Sequence, residues 1–204
     1  MKQVFRLLSL LVLPAAFVLL TGTACDQKSV PARAWDYGAF QRMDQNAENY
    51  SLPAGITIDS MYGELDSTIP DAELPLRLQV SNTNSASTVV KFPAGLVFSP
   101  SSGDFEYMML LKEFSFTAQA GVTAGILVPT YGCNEDSLDQ PSDESFYDIG
   151  WRENDKEIQE LLDLVASKAL NTDDAVTLAQ DALIEITMDS GLVATTRDSL
   201  KLLP

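Results

Sequence analysis

Histidine is absent from all 204 residues of this chain. That removes Ser-His-Asp and Cys-His catalysis, histidine proton shuttles and the usual zinc enzyme sites, each of which needs imidazole. Cysteine is nearly absent too: Cys25 and Cys133 are the only two, so no Cys-x-x-Cys redox pair exists. Neither a GxGxxG nor a GxxxxGK[ST] phosphate loop occurs. Positive charge is scarce, with 13 Lys and Arg against 29 Asp and Glu. Such a balance repels nucleic-acid phosphates and anionic headgroups, which argues against DNA, RNA or peripheral bilayer docking. Carboxylates alone could supply an acid/base pair for glycoside hydrolysis, but no two are set apart by their context. A non-catalytic protein without a cofactor is the expectation.

What the chain does have begins at its start. Lys2 and Arg6 precede an apolar run from Leu7 to Leu20 that is broken only by Ser9 and Pro14. Fourteen residues are too few to span a bilayer core, which takes about 20, but they suit a cleavable signal. The run ends in Thr21-Gly22-Thr23-Ala24-Cys25, which resembles the lipobox of bacterial lipoproteins, with Gly22 where leucine is usual. Residues 1–24 are therefore expected to be removed and Cys25 to carry lipid that holds the protein at a membrane. Asp26 resembles an inner-membrane retention signal of enterobacteria, a rule that differs between lineages, so the expectation is the envelope, periplasm-facing, at either membrane.

Loss of the leader takes Lys2 and Arg6 from the 13 basic residues and no acidic one, leaving 11 against 29 and a formal charge of −18. With Cys25 lipidated, Cys133 has no partner in the chain. Burial as a small apolar side chain is the first reading, and an intermolecular disulfide or reactive thiol the alternative.

Residues 25–50 read as a polar tether that also carries Trp35, Tyr37, Phe40 and Met43. From 51 to 150 the pattern is that of short strands. GITID alternates, and LRLQVS sets Leu76, Leu78 and Val80 against Arg77 and Gln79. TVVKF, LVFSP, YMMLLKEFSFTA and VTAGILVPTY follow, separated by turn residues, which predicts an antiparallel sandwich. The stretch from Cys133 to Trp151 reads as an acidic loop. Over 151–204 the period turns helical. Asn154 is placed as the first cap, with Ile158, Leu161, Leu162, Val165 and Ala169 on one face and Asn171 closing the helix. Thr172 caps a second helix with a buried stripe of Ala175, Ala179, Ala182, Leu183 and Ile186, stopped by Gly191, and TTRDSLKLL forms a third. One or two residues between the first two helices predict antiparallel packing on the sandwich. The fold class expected is α+β: an Ig-like sandwich followed by two or three helices.

The acidic loop is the best local candidate for a ligand. Asp136, Asp139, Asp143 and Glu144, with Asn134 and Glu135, offer oxygen donors of the kind Ca²⁺ takes, although their spacing is not that of an EF-hand. The simpler reading is a solvated loop. Phe146, Tyr147 and Trp151 follow it; they are expected to pin the loop to the core, with sugar or peptide binding as the alternative.

VSNTNSASTVVKFPAGLVFSP, a strand leading into YGC, and TLAQDALIEITMDSGLVATTRDSLKLLP together look like a group of uncharacterised secreted bacterial proteins and lipoproteins. In that group an Ig-like sandwich with a PAG-x-VF strand precedes helices. Pro93, Ala94, Gly95, Val97 and Phe98 match the strand motif, and Gln180, Ala182, Ile186, Thr187 and Asp189 match the helix motif, without its aromatic near Ile184 or Glu185. The resemblance implies the fold and no activity. The function expected is thus an envelope-anchored binding or interaction module for an envelope protein or glycan, with a structural or assembly role as the alternative and a small carboxylate hydrolase as the remoter one.

Overall fold

Strict alternation of apolar and polar residues makes a strand with one buried face, and LRLQVS forms one. In the computed structural model, β3 (Leu76–Asn82) buries Leu76, Leu78, Val80 and Asn82 and leaves Arg77, Gln79 and Ser81 half-buried. It sits between β2 (Ile56–Gly63) and β8 (Thr123–Val128), both antiparallel to it. β4 (Thr88–Phe92) pairs with β7 (Phe114–Ala118) as a separate ribbon. The structure describes residues 47–65, 69–133, 139–187 and 191–204, all within the unit Ala34–Pro204. The leader, Cys25 and Trp35, Tyr37, Phe40 and Met43 of the expected tether lie outside them.

A second, five-stranded sheet has the order β1 (Glu48–Asn49), β10 (Tyr147–Arg152), β5 (Leu96–Pro100), β6 (Met108–Met109), β9 (Tyr131–Gly132), antiparallel throughout. Its central residues do not alternate. Leu96, Val97 and Phe98 are all fully buried, as are Met108 and Met109, because this sheet is covered on both sides. Leu96, Phe98, Met108 and Leu110 face the other strands, where Phe92 meets Tyr50, Phe98 and Phe116 edge-on at 5.6, 6.0 and 5.7 Å. Val97, Met109, Leu111, Tyr131 and Cys133 face the opposite way, into the helices. The result is mixed α/β: a sandwich-like pair of antiparallel layers with a third, helical layer.

The helical layer is α1 (Lys156–Val165), α2 (Asp173–Thr187) and α3 (Ala194–Leu202). Ile158, Leu161, Leu162 and Val165 of α1 and the alanine stripe of α2 fill this second core. Three details differ from the sequence reading. Asp155, not Asn154, caps α1, accepting from the N–H groups of Glu157 and Ile158 at 2.8 and 3.3 Å. The Asn154 N–H is engaged by the Glu153 carboxylate instead, which delays the helix by one residue. α1 also stops at Val165, well before Asn171, since the connection to α2 is drawn into tertiary bonds: Lys168 Nζ donates to the Lys201 and Leu203 carbonyls, and Ala169 N–H to that of Pro204. That leaves a seven-residue link in place of the one or two residues expected. Thr172 caps α2 as expected, its Oγ1 accepting from Ala175 N–H at 3.3 Å.

The stretch from Cys133 to Trp151 is not all loop. β10 occupies its end, and Gly150 allows β10 to pass where a Cβ would lie 2.9 Å from the Val97 carbonyl oxygen. At the other boundary, Glu48 and Asn49 of the expected tether pair with Arg152 and Trp151. Cys133 is fully buried between sheet and helices, so the intermolecular disulfide does not fit this structure. Burial, then the neighbouring Glu106 and Glu153 charges, push its thiol well above the ordinary value. An Ellman assay should accordingly find Cys133 silent in the native protein and titratable after denaturation; rapid native labelling would contradict its burial.

Candidate functional site

A cleft of about 400 Å³ lies between the loop leading into β3 and the start of α2. One wall is Glu64, Leu65 and residues 69–75; the other is Leu170, Asn171, Thr172, Asp173, Val176 and Thr177. The walls are tied to the fold by backbone bonds. Glu73 and Leu74 N–H both donate to the Thr130 carbonyl at 3.1 Å, and Thr130 Oγ1 donates to the Leu74 carbonyl. Asp71 and Leu170 clasp each other: Asp71 N–H donates to the Leu170 carbonyl at 3.1 Å, and Leu170 N–H donates to Asp71 Oδ1 at 3.1 Å. Asp71 adopts a left-handed φ of 61°, a conformation that Asp tolerates better than most residues.

Chemically the cleft combines apolar and acidic side chains. Leu65, Ile69, Leu74 and Val176 supply the first; Glu64, Asp71, Glu73 and Asp173 supply the second. Glu64 is paired with Arg77, and Asp71 Oδ1 lies 3.9 Å from Lys112 Nζ. Glu73 is different. Burial raises its carboxyl above the ordinary value, and the like charges of Asp181 and then Asp173 raise it further. A raised folded-state value means folding favours the protonated form, so the charged form weakens the fold as pH rises above the ordinary carboxylate range. Glu73→Gln should therefore raise the melting temperature at neutral pH, by an amount equivalent to less than about 1 kcal/mol for an exposed, screened group. The gain should vanish in acid, where both side chains are neutral; a gain independent of pH would refute the electrostatic cause.

Beneath this region lies Tyr131, whose hydroxyl is buried with no hydrogen-bond partner among the described residues. Burial, then Asp71 and Glu73, raise its ionisation well above the ordinary value. A buried hydroxyl lacking a partner carries its desolvation cost uncompensated, so Tyr131→Phe should leave stability unchanged or raise it by up to about 1 kcal/mol. A clear loss in urea denaturation would mean that the hydroxyl has a bound partner.

The acidic loop fares differently. Asp136, with Asn134 and Glu135, lies outside the described residues. Asp139 is exposed and held through its backbone, its N–H on the Asp104 carbonyl at 2.9 Å and its carbonyl accepting from Glu106 N–H at 3.2 Å. Asp143 and Glu144 occupy the exposed tip of a turn stapled by serines, in which Ser145 Oγ donates to the Ser142 carbonyl at 2.7 Å. Among the described residues no three His, Cys, Asp or Glu side chains converge to hold a metal ion. The aromatics divide. Tyr147 is buried, donating its hydroxyl to the Glu106 carbonyl at 3.1 Å, and Trp151 is half-buried with Nε1 donating to Glu153 Oε2 at 3.1 Å. Phe146 does not pin the loop: it is 55% exposed, bridged to Tyr62 on the outer side of β2.

Sequence reasoning missed the cleft, because its walls come from segments a hundred residues apart and neither carries a motif. No family model, curated protein or solved structure matches the chain. No described helix is long and apolar enough to cross a membrane.

Proposed function

We propose that this is an envelope lipoprotein, freed of residues 1–24 and anchored through lipid on Cys25, whose folded part is a binding module without turnover. The Ig-like reading of the sandwich belongs with this proposal; it is supported by the antiparallel pairing of both layers and by the resemblance of Pro93–Phe98. The observation that carries the function is the cleft, where apolar walls meet carboxylates and Glu73 is crowded by Asp173 and Asp181. A ligand that brings an apolar group and a positive charge together would cover the first and relieve the second. A basic segment of an envelope protein has that chemistry, and a neutral glycan has less of it.

Two measurements test the reading separately. Cys25→Ala should move the protein from the membrane fraction or block its processing; unchanged fractionation removes the anchor. For the cleft, the probe is a Lys-Leu-Lys peptide amide, followed by amide NMR shifts. Shifts should centre on Glu73, Leu74 and Val176, and Glu73→Gln should weaken binding about three- to fivefold, the worth of one partly exposed ion pair. Equal binding of Glu-Leu-Glu, or shifts elsewhere, would replace this ligand class, and preferential binding of a neutral peptidoglycan oligosaccharide would favour the glycan.

A further inference from the structure

Strands at sheet edges expose a row of backbone donors and acceptors, and three of the edge strands in this protein are guarded. β1 is two residues long. β9 is closed by a side chain of α2: Gln180 Nε2 donates to the Gly132 carbonyl at 2.8 Å, and Gln180 Oε1 accepts from Gly132 N–H at 3.0 Å. β2 carries a register shift between Ile58 and Ser60, and its end is met by Ser142, whose carbonyl accepts from Gly63 N–H at 3.0 Å. β8 has none of these devices. Its sequence, Thr-Ala-Gly-Ile-Leu-Val, contains no charge and no proline, and its register with β3 runs unbroken from Leu76↔Val128 to Ser81↔Thr123.

The phase of that ladder gives the direction of each backbone group. Asn82 N–H donates to the Val122 carbonyl and Leu74 N–H to that of Thr130, both at 3.1 Å. Directly opposed residues of an antiparallel pair alternate between bonded and unbonded. In this register Ala124, Ile126 and Val128 therefore bond to β3, whereas Thr123, Gly125 and Leu127 turn N–H and C=O away from it. No described strand pairs on that side. Thr123, Ala124 and Gly125 are exposed, including Ala124 on the inward face, as expected of an open edge.

We propose that β8 is a self-association edge: two copies of the chain join by antiparallel pairing of β8 with β8 about a two-fold axis at Gly125. The outward residues are centred on Gly125, so the axis sets Gly125 opposite Gly125 of the second copy and Thr123 opposite Leu127. Every outward N–H and C=O of these three residues then has a partner, and the two three-stranded sheets become one. The edge itself points to this occupant: β8 carries no charged side chain to oppose its own copy across the axis, and the symmetric spacing of Thr123, Gly125 and Leu127 gives each copy the donors and acceptors that the other lacks.

Gly125 makes the test clean. A Cβ there would stand 3.5 Å from Gln79 Nε2 and 3.8 Å from Arg77 Nη1, ordinary contact, so substitution is tolerated by the fold. Gly125→Pro deletes the outward N–H and leaves the β3 bonds in place. The full chain in detergent should sediment as a dimer, and Gly125→Pro should weaken it on the order of a hundredfold, the loss of one hydrogen bond per copy. Gly125→Cys should form a disulfide-linked dimer on mild oxidation that neither the parent chain nor Thr195→Cys forms. Thr123→Pro, which deletes a second outward N–H and likewise leaves the bonds of Ala124, Ile126 and Val128 to β3 in place, repeats the weakening if the Gly125 variant misfolds. A monomeric parent, a dimer indifferent to both substitutions, or failure of Gly125→Cys to crosslink overturns the proposal.

Discussion

Glu153→Ala should cost about 3 kcal/mol of folding stability, measured as a lowered urea midpoint at unchanged slope. Glu153 is fully buried at the joint between β10 and α1. Its Oε2 accepts from Trp151 Nε1 at 3.1 Å, and its Oε1 accepts from the Asn154 and Asp155 N–H groups at 3.1 and 3.3 Å. Its backbone is pinned as well, N–H to the Gly95 carbonyl and C=O accepting from Gln159 Nε2, both at 2.8 Å. A buried carboxylate loses its hydration on folding, and here indole and backbone donors replace it. Alanine removes the acceptor for all three donors at once and leaves a void beside α1. Glu153→Gln keeps one oxygen without its charge and should lose about half as much. A cost under about 1 kcal/mol for alanine would mean that water enters and serves the same donors.

The same joint shows what the sequence could and could not convey. Asn154 and Asp155 are both good caps, and local pattern cannot choose between them; the choice is made by Glu153, whose carboxylate claims the Asn154 N–H from outside the helix. β10 is hidden for a related reason. YDIGWR alternates poorly because its register shifts between Ile149 and Arg152, so one residue order serves two pairing phases. By contrast LRLQVS and the α2 stripe were legible, since each buries one face against one core and keeps a single period. LVF and YMMLL were legible as strands but not as a middle layer: a run buried on both faces has no alternation to say which residue faces which core. The cleft was beyond reach altogether. Glu73, Asp173 and Asp181 become neighbours only once Thr130 anchors one segment and α2 docks on the sheet beside it.

Gln180→Ala should destabilise the protein by about 2–3 kcal/mol, the cost of leaving the Gly132 N–H and C=O without their partner. Gln180 matches the glutamine of the helix motif, and its role here is that of a missing strand: one amide presents both a donor and an acceptor to the edge of β9, as a neighbouring residue would. No charged residue can do this at neutral pH. In the Gln180→Glu variant, one carboxylate oxygen would accept from Gly132 N–H while the other stood against the Gly132 carbonyl, so that variant should be nearly as weak as alanine at pH 7. Protonation restores a donor. The introduced carboxyl should then titrate above its ordinary value in the folded state, and stability relative to the parent should recover as pH falls through that raised value. Urea titrations of the two variants across the acid range separate the contributions. If Gln180→Ala costs little, or if Gln180→Glu shows no recovery in acid, then β9 does not depend on this amide, and the coupling of α2 to the sheet rests on the apolar contacts of Ala179, Ala182 and Leu183 alone.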